Sequence, residues 1–332
     1  MRMTKKASRS LFAALIICVA IIFTACVGSN DSKQQEVFKI GVLQLVTHDA
    51  LDASYQGFVD GLEAAGLVKD KDFTIDYQNA QGEKSNCQTI AAKFVNDKVD
   101  LVLAIATPAA QAMASETTTI PILVTAVTDP ADSKLVLSNK KSGTNIAGTS
   151  DLTPVAEQMQ LLKDILPEAK SVAVLYNSSE SNSVFQMNLA KEAALKLDLV
   201  VLDASVSLSS EIQSVVESLV GKADVIYAPT DNMVASGMAT VSLIADEAGI
   251  PIIAGEEGML KNGGLATYGI SYYELGKLTS TQAVDIIRNN VDPADMPILY
   301  LNNYELLVNK SVANKLGITI PDDLLKKARI IE

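Results

Sequence analysis

From Val37 onward the chain alternates short apolar runs with longer amphipathic segments. The runs at 38–45, 73–77, 101–105, 122–125, 171–176, 200–204, 225–228 and 252–254 are brief and rich in Val, Ile and Leu. Continuous runs of that kind suit strands buried on both faces of a parallel sheet. Between them, segments 49–65, 86–96, 154–166, 181–197, 209–220, 232–248 and 272–290 repeat apolar residues at helical spacing, as Leu51, Phe58, Val59 and Leu62 do in the first. Gly66 and Gly249 stand where helices should stop, and Asp231 stands where one should be capped. Strands alternating with helices predict an α/β doubly wound fold, and the pattern occurs twice, over 37–150 and again over 168–267. About 300 residues are too many for one ordinary core. The expectation is two Rossmann-like lobes that hinge about a ligand cleft. Lobe one takes 37–150 plus about 270–300, and lobe two takes 151–269 plus about 301–332.

The N-terminus reads differently. Arg2, Lys5, Lys6 and Arg9 precede an almost wholly apolar run from Leu11 to Thr24, which ends in Phe23-Thr24-Ala25-Cys26. A basic stretch followed by an apolar run too short to span a bilayer is an export signal. Small residues before a cysteine resemble a bacterial lipobox, from which Phe23 departs where Leu is usual. This predicts a signal peptide over 1–25 and a lipidated Cys26 carrying acyl chains such as palmitate. A polar tether follows to residue 36, holding the protein at the extracytoplasmic face of the cell membrane. Cys18 leaves with the signal, so Cys87 is the one thiol left in the folded part, which permits no internal disulfide.

The net charge is −12, and loss of the signal removes four basic residues and no acid. So acidic a chain is not a nucleic-acid binder, because phosphates demand a basic face. The sequence holds one histidine, His48, and lacks the glycine-rich phosphate loops, the HExxH zinc motif and the GxSxG nucleophile motif. No catalytic residue, metal or cofactor is therefore expected, and the protein is not read as an enzyme.

Polar residues cluster just after the predicted strands instead. They are Gln44, Thr47 and His48; Thr107; Thr128 and Asp129; Asn177 and Ser178; Thr230, Asp231 and Asn232; and Glu256 and Glu257. Loops at the carboxyl ends of open α/β sheets converge on one cleft, where helix N-termini offer free N–H groups. A zwitterion suits such a cleft, with Asp231 or Glu257 available to an ammonium group. Tyr55, Tyr268 and Tyr272 are candidates to wall an aromatic slot.

The ordered segments Ile105-Ala106-Thr107-Pro108-Ala109-Ala110-Gln111, Val127-Thr128-Asp129-Pro130, Gly148-Thr149-Ser150-Asp151, Val174-Leu175-Tyr176-Asn177-Ser178-Ser179-Glu180, Ala228-Pro229-Thr230-Asp231-Asn232, Gly255-Glu256-Glu257-Gly258 and Ala266-Thr267-Tyr268-Gly269 carry a resemblance. Together they resemble the ABC transporter substrate-binding family that includes tryptophan- and tyrosine-type binders, among the type I periplasmic binding proteins. The resemblance spans about 37–320. It implies three crossings between two lobes, hinged closure, an amino-acid-like small-molecule ligand, and ABC permease and ATPase subunits as partners. It also implies ligand contacts from Gln44, His48, Thr107, Thr128, Asp129, Asn177, Ser178, Asn182, Asp231 and Glu257. Within this set, Thr107 would meet the ligand carboxylate and Glu257 the ammonium. Thr47 departs from the acid common at its position.

A sensory lipoprotein that signals to a membrane receptor without transport would share all these residues. A secreted enzyme would need a nucleophile–base pair, which the lone histidine does not supply. A cytoplasmic repressor of the same two-lobe plan would carry a DNA-binding headpiece where this chain has a lipoprotein signal.

Overall fold

The computed structural model describes residues 37–331. Cys26, the apolar run before it and the tether to residue 36 lie outside the described residues. None of the described helices is long and apolar enough to cross a membrane.

The chain opens with β1 (Phe38–Gln44), α1 (Asp49–Ala64), β2 (Phe73–Asn79), α2 (Lys84–Asp97), β3 (Leu101–Ile105), α3 (Thr107–Glu116), β4 (Ile122–Val127) and β5 (Ile146–Ser150). These strands form a parallel sheet in the order β2-β1-β3-β4-β5. Every residue of β3 and β4 is buried, as expected where helices cover both faces. The plan then repeats with α4 (Val155–Ile165), β6 (Ser171–Asn177), α5 (Ser181–Lys196), β7 (Val200–Val206), α6 (Ile212–Glu217), β8 (Val225–Ala228), α7 (Asn232–Ser236), α8 (Met238–Ala248), β9 (Ile252–Ala254), α9 (Glu257–Lys261) and β10 (Ala266–Gly269). Its order, β7-β6-β8-β9-β10, matches the first. In such sheets the order reverses beside the first strand, which opens a crevice at the strands' carboxyl ends.

The ends of the chain lace the two sheets together. The helix α10 (Tyr272–Asn289) returns to the first sheet, where β11 (Ile298–Tyr300) adds parallel to β5. β12 (Glu305–Asn309) then adds antiparallel to β10, and after α11 (Lys310–Leu316) and α12 (Asp322–Leu325) the strand β13 (Arg329–Ile331) closes the edge. The chain thus passes between sheets three times, after Ser150, after Gly269 and after Tyr300.

All eight expected strands are present, and β5, β10, β11, β12 and β13 are additional. β5 escapes a pattern reading because Gly148 interrupts its apolar run, and the others are short or lie at an edge. The helix α3 was not expected because it is buried on nearly every side from Thr107 to Met113, so it carries no polar stripe. The expected helix at 232–248 is two helices, parted at Gly237.

One close contact anchors α10 in the first lobe. A Cβ on Gly57 would lie 1.9 Å from the carbonyl oxygen of Tyr273, and one on Gly276 would lie 1.9 Å from that of Ser54. Two glycines, one on each helix, therefore let the α1 and α10 backbones touch. Gly57→Ala should lower stability by about 2 kcal/mol, the overpacking penalty outweighing alanine's better helix propensity. Urea unfolding with an unchanged slope is the check.

Candidate functional site

Loops from both lobes and from the first two crossings enclose a narrow cavity, with space of about 10 Å³, room for about one water molecule. His48 and Leu51 enter from α1 and the turn before it, Ala126 from β4, Asp151 and Tyr272 from the crossings, and Asn182, Asp231, Asn232 and Glu256 from lobe two. Backbone strain marks the lobe-one side. Ala106, just before α3, and Ala126 are non-glycine residues with φ of 83° and 54°, conformations that cost about 1–3 kcal/mol each and persist only where the surroundings impose them.

The lobes meet directly around this cavity. His48 Nε2 lies 3.4 Å from Asn232 Oδ1, Gln186 Nε2 donates to Thr128 Oγ1 at 3.2 Å, and Gln111 Nε2 donates to Ser181 Oγ at 3.2 Å. Lys84 Nζ donates to the Ser179 carbonyl at 2.5 Å.

The electrostatics are one-sided. Asp151, Glu180, Asp231 and Glu256 are the buried carboxylates among the described residues, all four stand at this joint, and no described Lys or Arg is buried. Burial pushes the Asp151 carboxyl up to about 6, against the Tyr272 and Thr128 hydroxyls. It pushes Glu256 up to about 7 despite the backbone N–H groups of Gly258 and Met259. Glu180 and Asp231 are raised by burial as well, and the charge of Asp231 adds to the effect on Glu180. Burial holds His48 below its ordinary value. Three polar atoms on the cavity wall are buried without a hydrogen-bond partner: His48 Nδ1, Asp151 Oδ1 and Asn182 Oδ1. Such atoms are rare in folded proteins, and each calls for an explanation.

Of the residues anticipated from sequence, His48, Asn182 and Asp231 line the cavity. Asp231 does so as the cap of α7, its two oxygens accepting from Val234 N at 2.9 Å and Asn177 N at 2.6 Å. Thr107 is buried at the start of α3, its hydroxyl unpartnered; it is the first helical residue rather than the cap, which is Ala106. Thr128 carries the contact to Gln186, and Asn177 Nδ2 holds Glu180 Oε1 at 3.0 Å behind the wall.

Neither these three nor the remaining four line the cavity. Gln44 turns back to the Val46 carbonyl and Asp52, bracing the loop before α1. Asp129 closes its own turn, accepting from Ala131 N, Asp132 N and Asn139 Nδ2. Ser178 is exposed and bonds the Val206 carbonyl. Glu257 faces outward to Lys261 at 2.9 Å and Arg329 at 2.7 Å, and its neighbour Glu256 points inward. The adjacent acids were indistinguishable in sequence, and only the turn into α9 decides between them. Among the tyrosines, Tyr272 alone lines the cavity; Tyr55 stacks on Tyr77 with centroids 4.8 Å apart, and Tyr268 packs against the lobe-two core. Asp151 was not singled out, though it ends β5 just as the other loop residues end their strands.

Two lobes of repeated strand order, laced by three crossings around a charged cleft, define a hinged binding protein. The family model for ABC transporter substrate binding proteins matches residues 39–331, and the chain belongs to that family, whose members are substrate-binding proteins rather than enzymes. It is 42% identical over 287 residues to the tyrosine-binding protein of Clostridioides difficile (strain R20291), an alignment covering 86% of this chain and 82% of that one. It is 38% identical to a Streptococcus pneumonia ABC domain solved in complex with L-Trp, with a TM-score of 0.87 over 90% of this chain and 100% of that one. It is 44% identical to a Clostridium difficile substrate binding protein with adhesive properties, in its ligand-free, open structure. There the TM-score is 0.68 over 89% of this chain and 99% of that one. The more identical relative superposes less well on this chain.

The raised carboxyls make a pH prediction. An acid whose folded pKa exceeds its unfolded value gives stability that is complete below the unfolded pKa and is lost as pH rises through the folded one. Asp151 and Glu256, at about 6 and about 7, place that loss between roughly pH 4 and pH 7, from the ordinary carboxylate values to the raised ones. His48, lowered, has the opposite sign but is a single group. The melting temperature of the unliganded protein should therefore fall as pH rises across this window, as measured by calorimetry.

Proposed function

We propose that this protein captures an aromatic amino acid outside the cell, by closure of its two lobes, for an ABC importer, and that an acylated Cys26 holds it at the membrane. The observation that carries the ligand class is the joint itself, with four buried carboxylates and no buried cation. A buried charge is costly unless paired, so this cleft is completed by a guest bearing a positive group. The unpartnered Thr107 hydroxyl and the first-turn N–H groups of α3, beside strained Ala106, suit the guest's carboxylate. Leu51, Ala126, Ala235 and Met259 supply apolar wall for a side chain. A cavity with space of about 10 Å³ is too small for that guest, so the lobes must part to admit it. The names of the relatives, a tyrosine-binding protein and an L-Trp complex, support the aromatic choice.

Closure follows from differential contact. The ligand touches both lobes only when they are shut, so binding shifts the population toward the shut form. L-tyrosine or L-tryptophan should raise the melting temperature by mass action, with about 2.7 kcal/mol gained at a hundredfold excess over Kd. Small-angle scattering should show compaction on their addition. A panel of twenty amino acids in which no aromatic member shifts the melt would refute the ligand class.

Export and anchoring rest on the basic residues 2–9, the apolar run and Cys26. Cys26→Ser should abolish palmitate labelling in cells and move the protein from the membrane fraction to the soluble one. Retention in the membrane would overturn the anchor.

A further inference from the structure

Deepening the amino-acid reading, and resting on it, we propose that the ligand's ammonium group is held by a three-acceptor socket made of His48 Nδ1, Asp151 Oδ1 and Asn182 Oδ1, with Asp151 as its charged member.

The four acids of the joint are not equivalent. Glu180 spends its oxygens on Asn177 Nδ2 and Asn232 Nδ2, each at 3.0 Å. Asp231 spends its pair on the backbone of Val234 and Asn177, and Glu256 spends its pair on Gly258 N and Met259 N. Asp151 alone keeps an oxygen without a partner in hydrogen-bond geometry: Oδ2 accepts from Tyr272 at 2.6 Å, and Oδ1, in a residue only 4% exposed, has no such partner, the Thr128 hydroxyl standing near the carboxyl without closing a bond.

The histidine tautomer follows from its neighbours. Asn232 donates Nδ2 to Glu180, so its Oδ1 faces His48 Nε2. An oxygen there requires Nε2 to carry the proton, which leaves Nδ1 a bare acceptor. The amide oxygen of Asn182 is the third unpartnered acceptor. All three residues line one cavity, and they come from lobe one, the first crossing and lobe two. An ammonium group has three N–H donors and no acceptor, which is the complement of this set.

The socket also reaches the hinge. Tyr272 begins α10 just after the second crossing, and its hydroxyl binds Asp151 on the first, so Tyr272 is a positioning residue for the charged acceptor. The titratable groups that line the cavity with Asp151 are His48, Asp231, Glu256 and Tyr272; behind them Asp52 and Asp49 act on His48, Asp49 and Glu257 act on Glu256, and Glu180 stands by Asp231. None of these is Lys or Arg.

The test is a cycle of two proteins and two ligands by calorimetry. L-tyrosine and its analogue lacking the amino group, 3-(4-hydroxyphenyl)propanoate, are titrated into wild type and Asp151→Asn, a change that keeps the acceptor for Tyr272. Loss of L-tyrosine affinity by at least about 50-fold, with the propanoate unchanged or tighter, supports the socket. Equal losses for both ligands, or undiminished L-tyrosine binding, overturn it. Selective loss in Glu256→Gln instead of Asp151→Asn also overturns it, while leaving the amino-acid reading standing. Binding of neither ligand to wild type overturns that reading and the socket with it. Should Asp151→Asn not fold, Tyr272→Phe keeps the carboxylate but removes a donor that lowers its proton affinity. The pH at which L-tyrosine affinity is half lost on acidification should then rise, and an unmoved midpoint overturns the proposal.

Discussion

Four carboxylates are buried at one joint with no buried cation to answer them, and the rest of the molecule is arranged around that imbalance. Left ionised and unpaired, such groups oppose the closed state, so they take up protons or donors. Three are quieted by amides and backbone N–H groups, and those donors exist because the βα turns of lobe two end at this point. The fourth, Asp151, is quieted on one oxygen only. The proposed socket would give that oxygen its partner when the guest is bound.

The architecture makes such a joint possible. Each lobe places its crevice beside its first strand, and the repeat of one strand order in both sheets brings the two crevices face to face. The crossings then run past the cleft, so residues on the connecting chain, Asp151 and Tyr272, also line it. The glycine contact between α1 and α10 fastens the returning helix to lobe one.

Much of this was legible in the residues. Buried parallel strands have no polar face, so their apolar runs stand out, and all eight marked runs are strands. Strand-end loops were equally visible, because polar side chains follow each run abruptly. What escaped were elements whose burial is complete or whose length is slight: α3 lacks a stripe to read, and β5 is broken by Gly148. At the site the strand-end loops could be named from sequence, but which of their side chains face the cavity could not. Glu257 was preferred to Glu256, although a single step of backbone separates an ion pair at the surface from a buried cap. Asp129 and Gln44 have the right chemistry and satisfy their own loops instead.

The sequence by itself determined the alternation of strands and helices, its twofold repetition and the acidic balance, because each is a pattern of side-chain type along the chain. Only the tertiary structure decided which polar atoms are left without partners. That property depends on which donors reach an acceptor from distant segments, and segments as far apart as residues 48, 151, 182 and 272 meet only after both lobes have folded and closed.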